Sequence, residues 1–241
     1  MGDGVKAASE QSGAGSLTIL QSERWFSGLE PSVQNSILRS GFRKRLKRGQ
    51  ILFRQGDEPA GLFGVLDGQI HSQAENHDGK TVVLAVFHAP DWVGFLACAE
   101  GKPYTFDVVA SIDSELLFVP LATVRSLLCA DPKNLLQLIA PQLSSMRKIY
   151  SYLMNTLHHK PIERLAFLLI DFSRSPWYEE GDIHPVRGLS QEILAASAFT
   201  TRQDVNKFLG ELEKQGLIKK SYGQIEILDA AKLMQVARMK S

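Results

Sequence analysis

"LSQEILAASAFTTRQDVNKFLGELEKQGLI" (189–218) is the stretch from which the architecture of this 241-residue chain is read. Ser190 is placed to cap a short helix running through Ala196. Thr201 is placed to cap a second, with Asp204 in the capping-box position three residues on. Along the second helix Val205, Phe208, Leu209 and Leu212 recur at helical steps and form one apolar stripe. Arg202, Gln203, Asn206 and Lys207 then fall on the opposite side, near its N-terminus. Two helices joined by a short turn, the second presenting such residues at its leading end, have the shape of a helix-turn-helix. The chemistry agrees: Arg forks onto guanine O6 and N7, Gln or Asn onto adenine N6 and N7, and Lys reaches guanine or phosphate. Downstream, "LIKKSYGQIEIL" (217–228) reads as two strands about a Tyr222-Gly223 turn, a wing that brings Lys219 and Lys220 to phosphates. With Ser190, Gln191 and Thr201, these residues are the candidate DNA contacts. On the local pattern alone, an αα-hairpin with polar surface residues is the competing reading.

Upstream lies a long helical pattern. Asp131 is a candidate N-cap and Pro132 sits at the first helical position, where a missing N–H costs nothing. Leu136, Ile139, Leu143, Met146, Tyr150, Leu153 and Leu157 alternate three- and four-residue steps, a heptad seam that suits an identical partner helix. The alternative is that the seam packs on the rest of the chain. Pro141 removes a hydrogen bond beside the seam, so a kink is expected in the first half and the tighter contact from Met146 to Leu157. "HHKP" (158–161) marks a joint, and His158, His159 and Lys160 are the candidate hinge, read either as pH-sensitive or as solvated helix-end residues. "IERLAFLLIDFSR" (162–174) then reads as an amphipathic helix and 175–188 as loop with strand character.

The first half of the chain has a different texture. Residues 1–16 are small, polar and Gly/Ser-rich, and are expected to be disordered. From 17 to 40 the pattern is helical, through Phe26, Leu29, Val33, Ile37 and Leu38. Short β-like runs follow at 50–54, 62–66, 69–74, 81–87, 106–110 and 115–119, divided by Gly56, Gly68 and Gly79 turn signals, which predicts a small antiparallel barrel or sandwich. "RKRLKR" (43–48) reads as a solvated edge, with nucleic acid as the alternative.

The bulk numbers constrain partners weakly. At 44% apolar, 22% charged and formal net charge +1, local clustering of charge decides more than the total. No apolar run approaches the roughly 18 residues of a membrane span and no signal-type core opens the chain, so no membrane partner and a cytoplasmic location are expected. Cys98 and Cys129 are too few for a disulfide framework or a four-thiolate cluster. Six histidines lack HExxH spacing, and GxSxG, P-loop and zinc-deaminase signatures are absent, which points away from catalysis and from a metal site.

Taken in order, "RGQILFRQGDEPAGLFGVLDGQI" (48–70), "DWVGFLACAEGKPYTFDVVAS" (91–111), the long helix leading to "PIERLAFLL", and the 189–218 stretch resemble the CRP/FNR family of bacterial transcription regulators over about residues 20 to 235. The resemblance implies an α+β chain. A β-roll sensory domain would span 17–130, a dimerisation helix 131–159 and a winged helix-turn-helix 160–241, paired as a homodimer on palindromic double-stranded DNA. In members that bind cyclic AMP, a Gly-Glu pair holds the ribose and an Arg-Ser/Thr pair grips the cyclic phosphate. The matching positions here are Gly94-Phe95 and Tyr104-Thr105, and those that meet the adenine fall on Ile149 and Tyr150. Tyr104 cannot supply the charge-assisted pair an Arg gives a phosphate, and an uncompensated anion there would lose roughly several kcal/mol. Cyclic nucleotide binding in the usual manner is therefore not expected. Gly94, Phe95, Leu96, Tyr104, Thr105, Ile149 and Tyr150 either line a site for an apolar or aromatic effector or fill the cavity of a protein active without one.

Metal sensing fits the sequence less well. Two isolated thiols cannot hold an iron–sulfur cluster, so no cofactor is assigned, with haem on His71, His77 or His88 as the minor alternative. The family's Arg-Glu...Arg reading set appears as Arg202, Gln203 and Lys207, so a standard half-site is not expected. Phe199 stands where the turn commonly has glycine, and either avoids positive φ or carries strain. The function implied is a sequence-specific regulator with RNA polymerase as a further partner. The rival is a β-roll regulatory subunit acting through protein contact, and within the family a haem-based gas sensor.

Overall fold

The computed structural model describes residues 19–21, 23–175 and 182–238; within the long helix, side chains at 148, 151, 152 and 154–158 fall outside this set. The tail expected to be disordered, 1–16, lies outside it too.

The helical pattern over 17–40 is interrupted. α1 (Arg24–Ser27) is capped by Glu23, whose carboxylate accepts from the Trp25 and Phe26 amides, and it stops at Gly28. α2 (Pro31–Ser40) starts afresh with Pro31 at its first position. Pro31 cannot donate to a preceding turn, which is why α2 does not continue from α1. The six β-like runs all become strands: β2 (Ile51–Phe53), β3 (Gly61–Asp67), β4 (Gln69–Glu75), β5 (Thr81–His88), β7 (Asp107–Ala110) and β8 (Ser114–Pro120). Two more, β1 (Phe42–Leu46) and β6 (Trp92–Val93), complete a pair of four-stranded antiparallel sheets ordered β1-β8-β3-β6 and β2-β7-β4-β5.

β1 holds residues 43–46 of the basic run and is paired along its length with β8 at the edge of the sheet. Arg43 and Arg45 both reach Glu115, at 2.9 and 3.2 Å, and Lys47 reaches Asp113 at 2.8 Å. Pairing across and just beyond the two strands thus satisfies these cations on the molecule's own acids, as the solvated-edge reading expects. Between the sheets, Phe53, Phe63, Val65, Ile70, Phe87, Tyr104, Val108 and Leu116 form one core. A second packs Trp25, Phe26, Ile37, Trp92, Phe95 and Leu138 beneath the N-terminal helices, with Phe26 stacked on Trp92 at 5.6 Å.

After α3 (Phe95–Glu100) and α4 (Leu121–Ala130), the long helix α5 runs 27 residues, Pro132–His158, unbroken at Pro141. Asp131 accepts from the Lys133 amide at 2.8 Å, the expected cap. The helix has two apolar faces. Asn134, Leu138 and Pro141 are buried against the β-roll side. Leu136, Leu143, Met146, Ile149, Tyr150 and Leu153 are exposed, with Leu143 at 53% and Tyr150 at 60%. The seam is therefore not what packs on the roll; Ile139 alone among its described members is half-buried, and the Leu157 side chain lies outside the described set.

α6 (Pro161–Phe172) opens the C-terminal unit. α7 (Gln191–Ser197) and α8 (Arg202–Lys214) follow, then the wing strands β10 (Ile218–Ser221) and β11 (Gln224–Ile227), which pair with β9 (Val186–Arg187), and a terminal α9 (Ala230–Val236) not foreseen from the sequence. Its core of Leu165, Leu169, Phe172, Leu194, Val205, Leu209 and Leu212 also takes in Val83 and Val86 of β5.

Candidate nucleic-acid interface

The two helix starts are fixed by the expected caps. Ser190 Oγ accepts from the Ile193 amide at 3.2 Å, and Thr201 Oγ1 from the Asp204 amide at 3.1 Å. Asp204 accepts from the hydroxyls of Thr201 (2.8 Å) and Thr200 (3.1 Å), and these bonds hold its carboxyl below the usual carboxylate range. With Val205, Leu209 and Leu212 buried and Phe208 partly so, α8 is locked in roll about its axis. That roll leaves Arg202, Gln203, Asn206 and Lys207 exposed together, with Thr201 beside them. Ser190 is exposed and Gln191 half-buried at the start of α7. Lys219 and Lys220 are exposed on β10, and Tyr222 stands fully out at the wing tip, where Gly223 takes φ +70°.

Two acids that sequence reasoning passed over meet this surface. Glu192 Oε1 lies 2.7 Å from Arg202 Nη1, and Glu213 holds Lys220 at 3.1 Å. Backbone and Ser190 hydrogen bonds, then Arg202, keep the Glu192 carboxyl low. No local signal in the sequence links positions ten and seven apart on different elements.

Two family models divide the chain. The Cyclic nucleotide-binding domain matches residues 43–131 and the Crp-like helix-turn-helix domain residues 163–236. The chain belongs to the CRP/FNR family of transcription regulators. Similar to it are a CRP-like cAMP-activated global transcriptional regulator of Mycobacterium tuberculosis, 22% identical over 88% of this chain and 96% of that one, and a Cyclic AMP receptor protein of Thermus thermophilus, 27% identical over 88% and 95%. Among solved structures, FixK2 from Bradyrhizobium japonicum superposes with a TM-score of 0.70 at 16% identity, covering 83% of this chain and 99% of its own. The helix-turn-helix model and the curated relatives are those of transcription regulators, not of enzymes.

In this CRP/FNR regulator the cassette between β6 and β7 departs from what a cyclic nucleotide needs. Gly94 takes φ +107° at the start of α3, close against the Gly61 carbonyl, so the backbone bend of the cassette is intact. The side chains of Phe95 and Tyr104 belong to different cores. Tyr104 is buried and lies flat on Phe53, ring centroids 3.7 Å apart. Its hydroxyl donates to the Gly61 carbonyl and accepts from the Ala60 amide, both at 3.2 Å. Burial pushes its phenol pKa up. Phe95 faces the other way, edge-on to Trp25 at 4.9 Å in the second core. Leu96 is half-buried, while Thr105, Ile149 and Tyr150 are exposed. The cassette positions thus put aromatic carbon where a cyclic phosphate needs a cation, and the residues do not fit that group.

Two of the three candidate haem histidines are also engaged. His71 Nδ1 bonds Ser111 Oγ (2.7 Å) and Nε2 bonds Gln73 Oε1 (3.0 Å), while His88 Nε2 donates to the Phe172 carbonyl at 2.8 Å. His77 is exposed in the β4–β5 turn. Cys98 is buried, which pushes its thiol up to about 12, and Cys129 is exposed. Among the described residues no His/Cys/Asp/Glu group could hold a metal, and no helix is long and apolar enough to cross a membrane.

His88 belongs instead to a seam between the two units. It stacks on His184 at 4.6 Å, Gln69 exchanges hydrogen bonds with the Arg187 backbone (2.7 and 3.2 Å), and the Val83 amide donates to Ser197 Oγ at 2.9 Å. A Cβ at Gly188, φ +71°, would run into the Ser111 carbonyl. The helix-turn-helix is therefore docked on β5 through α7. A cleft of about 420 Å³, lined by Lys80 and Thr81 of the roll and Glu192, Thr201 and Arg202 of the reading head, opens beside the contact.

Proposed function

We propose that this regulator is a homodimer that reads a palindromic double-stranded site, with Arg202, Gln203, Asn206 and Lys207 on base edges and Ser190, Gln191, Thr201, Lys219 and Lys220 on the backbone. The observation that carries the reading is the one-sided burial of α8, which leaves four base-reading side-chain types solvated at its leading end. The exposed seam of α5 supports the dimer: fully burying one such side chain is worth about 1.5–3 kcal/mol, a gain an identical seam provides. His158, the last residue of α5, with His159 and Lys160 between α5 and α6, serve as the hinge. RNA polymerase is the partner through which a bound dimer acts on transcription.

The packing of Tyr104 favours the ligand-independent reading over the apolar-effector reading. A ring already stacked on Phe53 with its hydroxyl satisfied occupies the position where the family's phosphate-gripping side chain stands. Adding cyclic AMP should leave DNA affinity unchanged.

The test is competitive binding of wild type and Arg202→Ala to a duplex library. Loss of one forked guanine contact removes about 1–3 kcal/mol of site discrimination. Equal affinity of both proteins for selected and random duplexes would defeat the proposal, as would salt-independent binding.

A further inference from the structure

Arg164, in the first turn of α6, makes a set of contacts that the reading face does not use. Nη1 donates to the His159 carbonyl at 2.6 Å, Nε to the Ala198 carbonyl at 2.8 Å, and Nη2 to the Phe199 carbonyl at 2.9 Å. His159 directly follows the last residue of α5, and Ala198 is the C-cap of α7. The carbonyls at a helix C-terminus lack intrahelical donors and carry the negative end of the helix dipole. One guanidinium therefore closes the ends of two helices at once, the dimer helix and the first helix of the reading head. It also holds the Phe199 carbonyl, whose residue turns left-handed (φ +50°) immediately before α8.

Only a planar cation with donors on three nitrogens does this; a Lys ammonium is a point charge and cannot span three carbonyls in fixed directions. Along the chain the His159 carbonyl is separated from those of Ala198 and Phe199 by the whole of α6 and α7. We infer that Arg164 is a positioning residue that fixes the angle between the dimer helix and the recognition helix, and so sets the half-site separation the dimer accepts. The inference rests on the dimeric DNA-reading proposal above and adds to it the residue that determines spacing.

The experiment uses full-length protein and the half-sites selected by wild type. Affinity is measured for duplexes with those half-sites at the preferred spacing, at spacings one base pair shorter and longer, and for a single half-site. A one-base-pair step rotates one half-site by about a tenth of a helical turn, so a rigidly held pair of heads discriminates against it. Arg164→Lys and Arg164→Gln should each reduce the preferred-to-displaced affinity ratio about five- to tenfold, with single half-site affinity within about twofold of wild type. An unchanged ratio overturns the inference. So does a loss on the single half-site as large as on the full site, since that marks a folding defect in the head. Wild type that binds no duplex would remove the DNA-reading proposal and this inference together, whereas a wild-type spacing preference kept intact in both variants removes the inference alone.

Discussion

Single residues decide whether the reading head is built correctly, and Phe199 shows how. Its place in the turn left two options open in the sequence, and the structure takes the strained one, φ +50°, with the residue 56% exposed. The turn closes through Thr200 N–H to the Ala195 carbonyl (2.9 Å) and Phe199 N–H to the Ala196 carbonyl (3.2 Å), and that closure imposes the conformation. A left-handed L-residue costs roughly 1–2 kcal/mol, partly offset because glycine has more unfolded-state entropy to lose, by about 0.4–1 kcal/mol. Phe199→Gly should therefore stabilise the domain by up to about 1 kcal/mol, read as a higher urea midpoint at unchanged slope. A lower midpoint would show that the exposed ring contributes more than its burial indicates. Tyr104 makes the complementary point. The sequence showed that it could not grip a phosphate, but not that its ring would turn inward onto Phe53.

At the scale of elements, periodicity was the reliable guide. The β-like runs matched strands because alternation and glycine punctuation are local properties of the chain. β1 was obscured by its charges, and β6, two residues long, is too short to carry a period. On α5 the heptad positions were visible, yet which face meets the roll was not, since Leu138 and the seam are equally apolar. With Leu143 and Leu153 both exposed on the free face, Leu143→Lys together with Leu153→Lys should leave each subunit folded and shift sedimentation from dimer to monomer. Affinity for a two-half-site duplex should fall with it, while that for a single half-site holds. A double variant that still sediments as a dimer would place the self-contact elsewhere.

The whole molecule adds a property that neither unit has alone, a polar seam with titratable groups. His88 is buried, which pushes its imidazole pKa down to about 4; the hydrogen bond to the Phe172 carbonyl opposes this, and His184 and Arg187 add to it. Asp91 faces it too, accepting the His88 amide at 2.8 Å. His184 and His71 are likewise lowered, chiefly by burial. A base whose folded pKa lies below its unfolded value of 6.5 binds more protons when unfolded, so stability rises with pH across that interval. The His88 contribution is full above about 6.5, declines as pH falls towards about 4, and is then lost, a change of roughly 3 kcal/mol for this group. Urea midpoints should accordingly drop between pH 7.5 and pH 4.5, approximately, and His88→Gln should reduce that dependence. A wild-type midpoint that is flat over this range would contradict the buried neutral seam.

Local chemistry wrote most of this protein in advance. Caps, strand alternation, the heptad seam and the four polar residues on one side of α8 are set by spacing along the chain, and the missing cassette cation is a matter of residue identity. Tertiary structure alone decided the rest: that Val83 and Val86 join the core of the other unit, that Glu192 meets Arg202, and that Arg164 closes two helix ends. These contacts join segments far apart in sequence or lying on different helices. No periodicity records them, because they depend on how finished elements pack and on which carbonyls that packing leaves without donors.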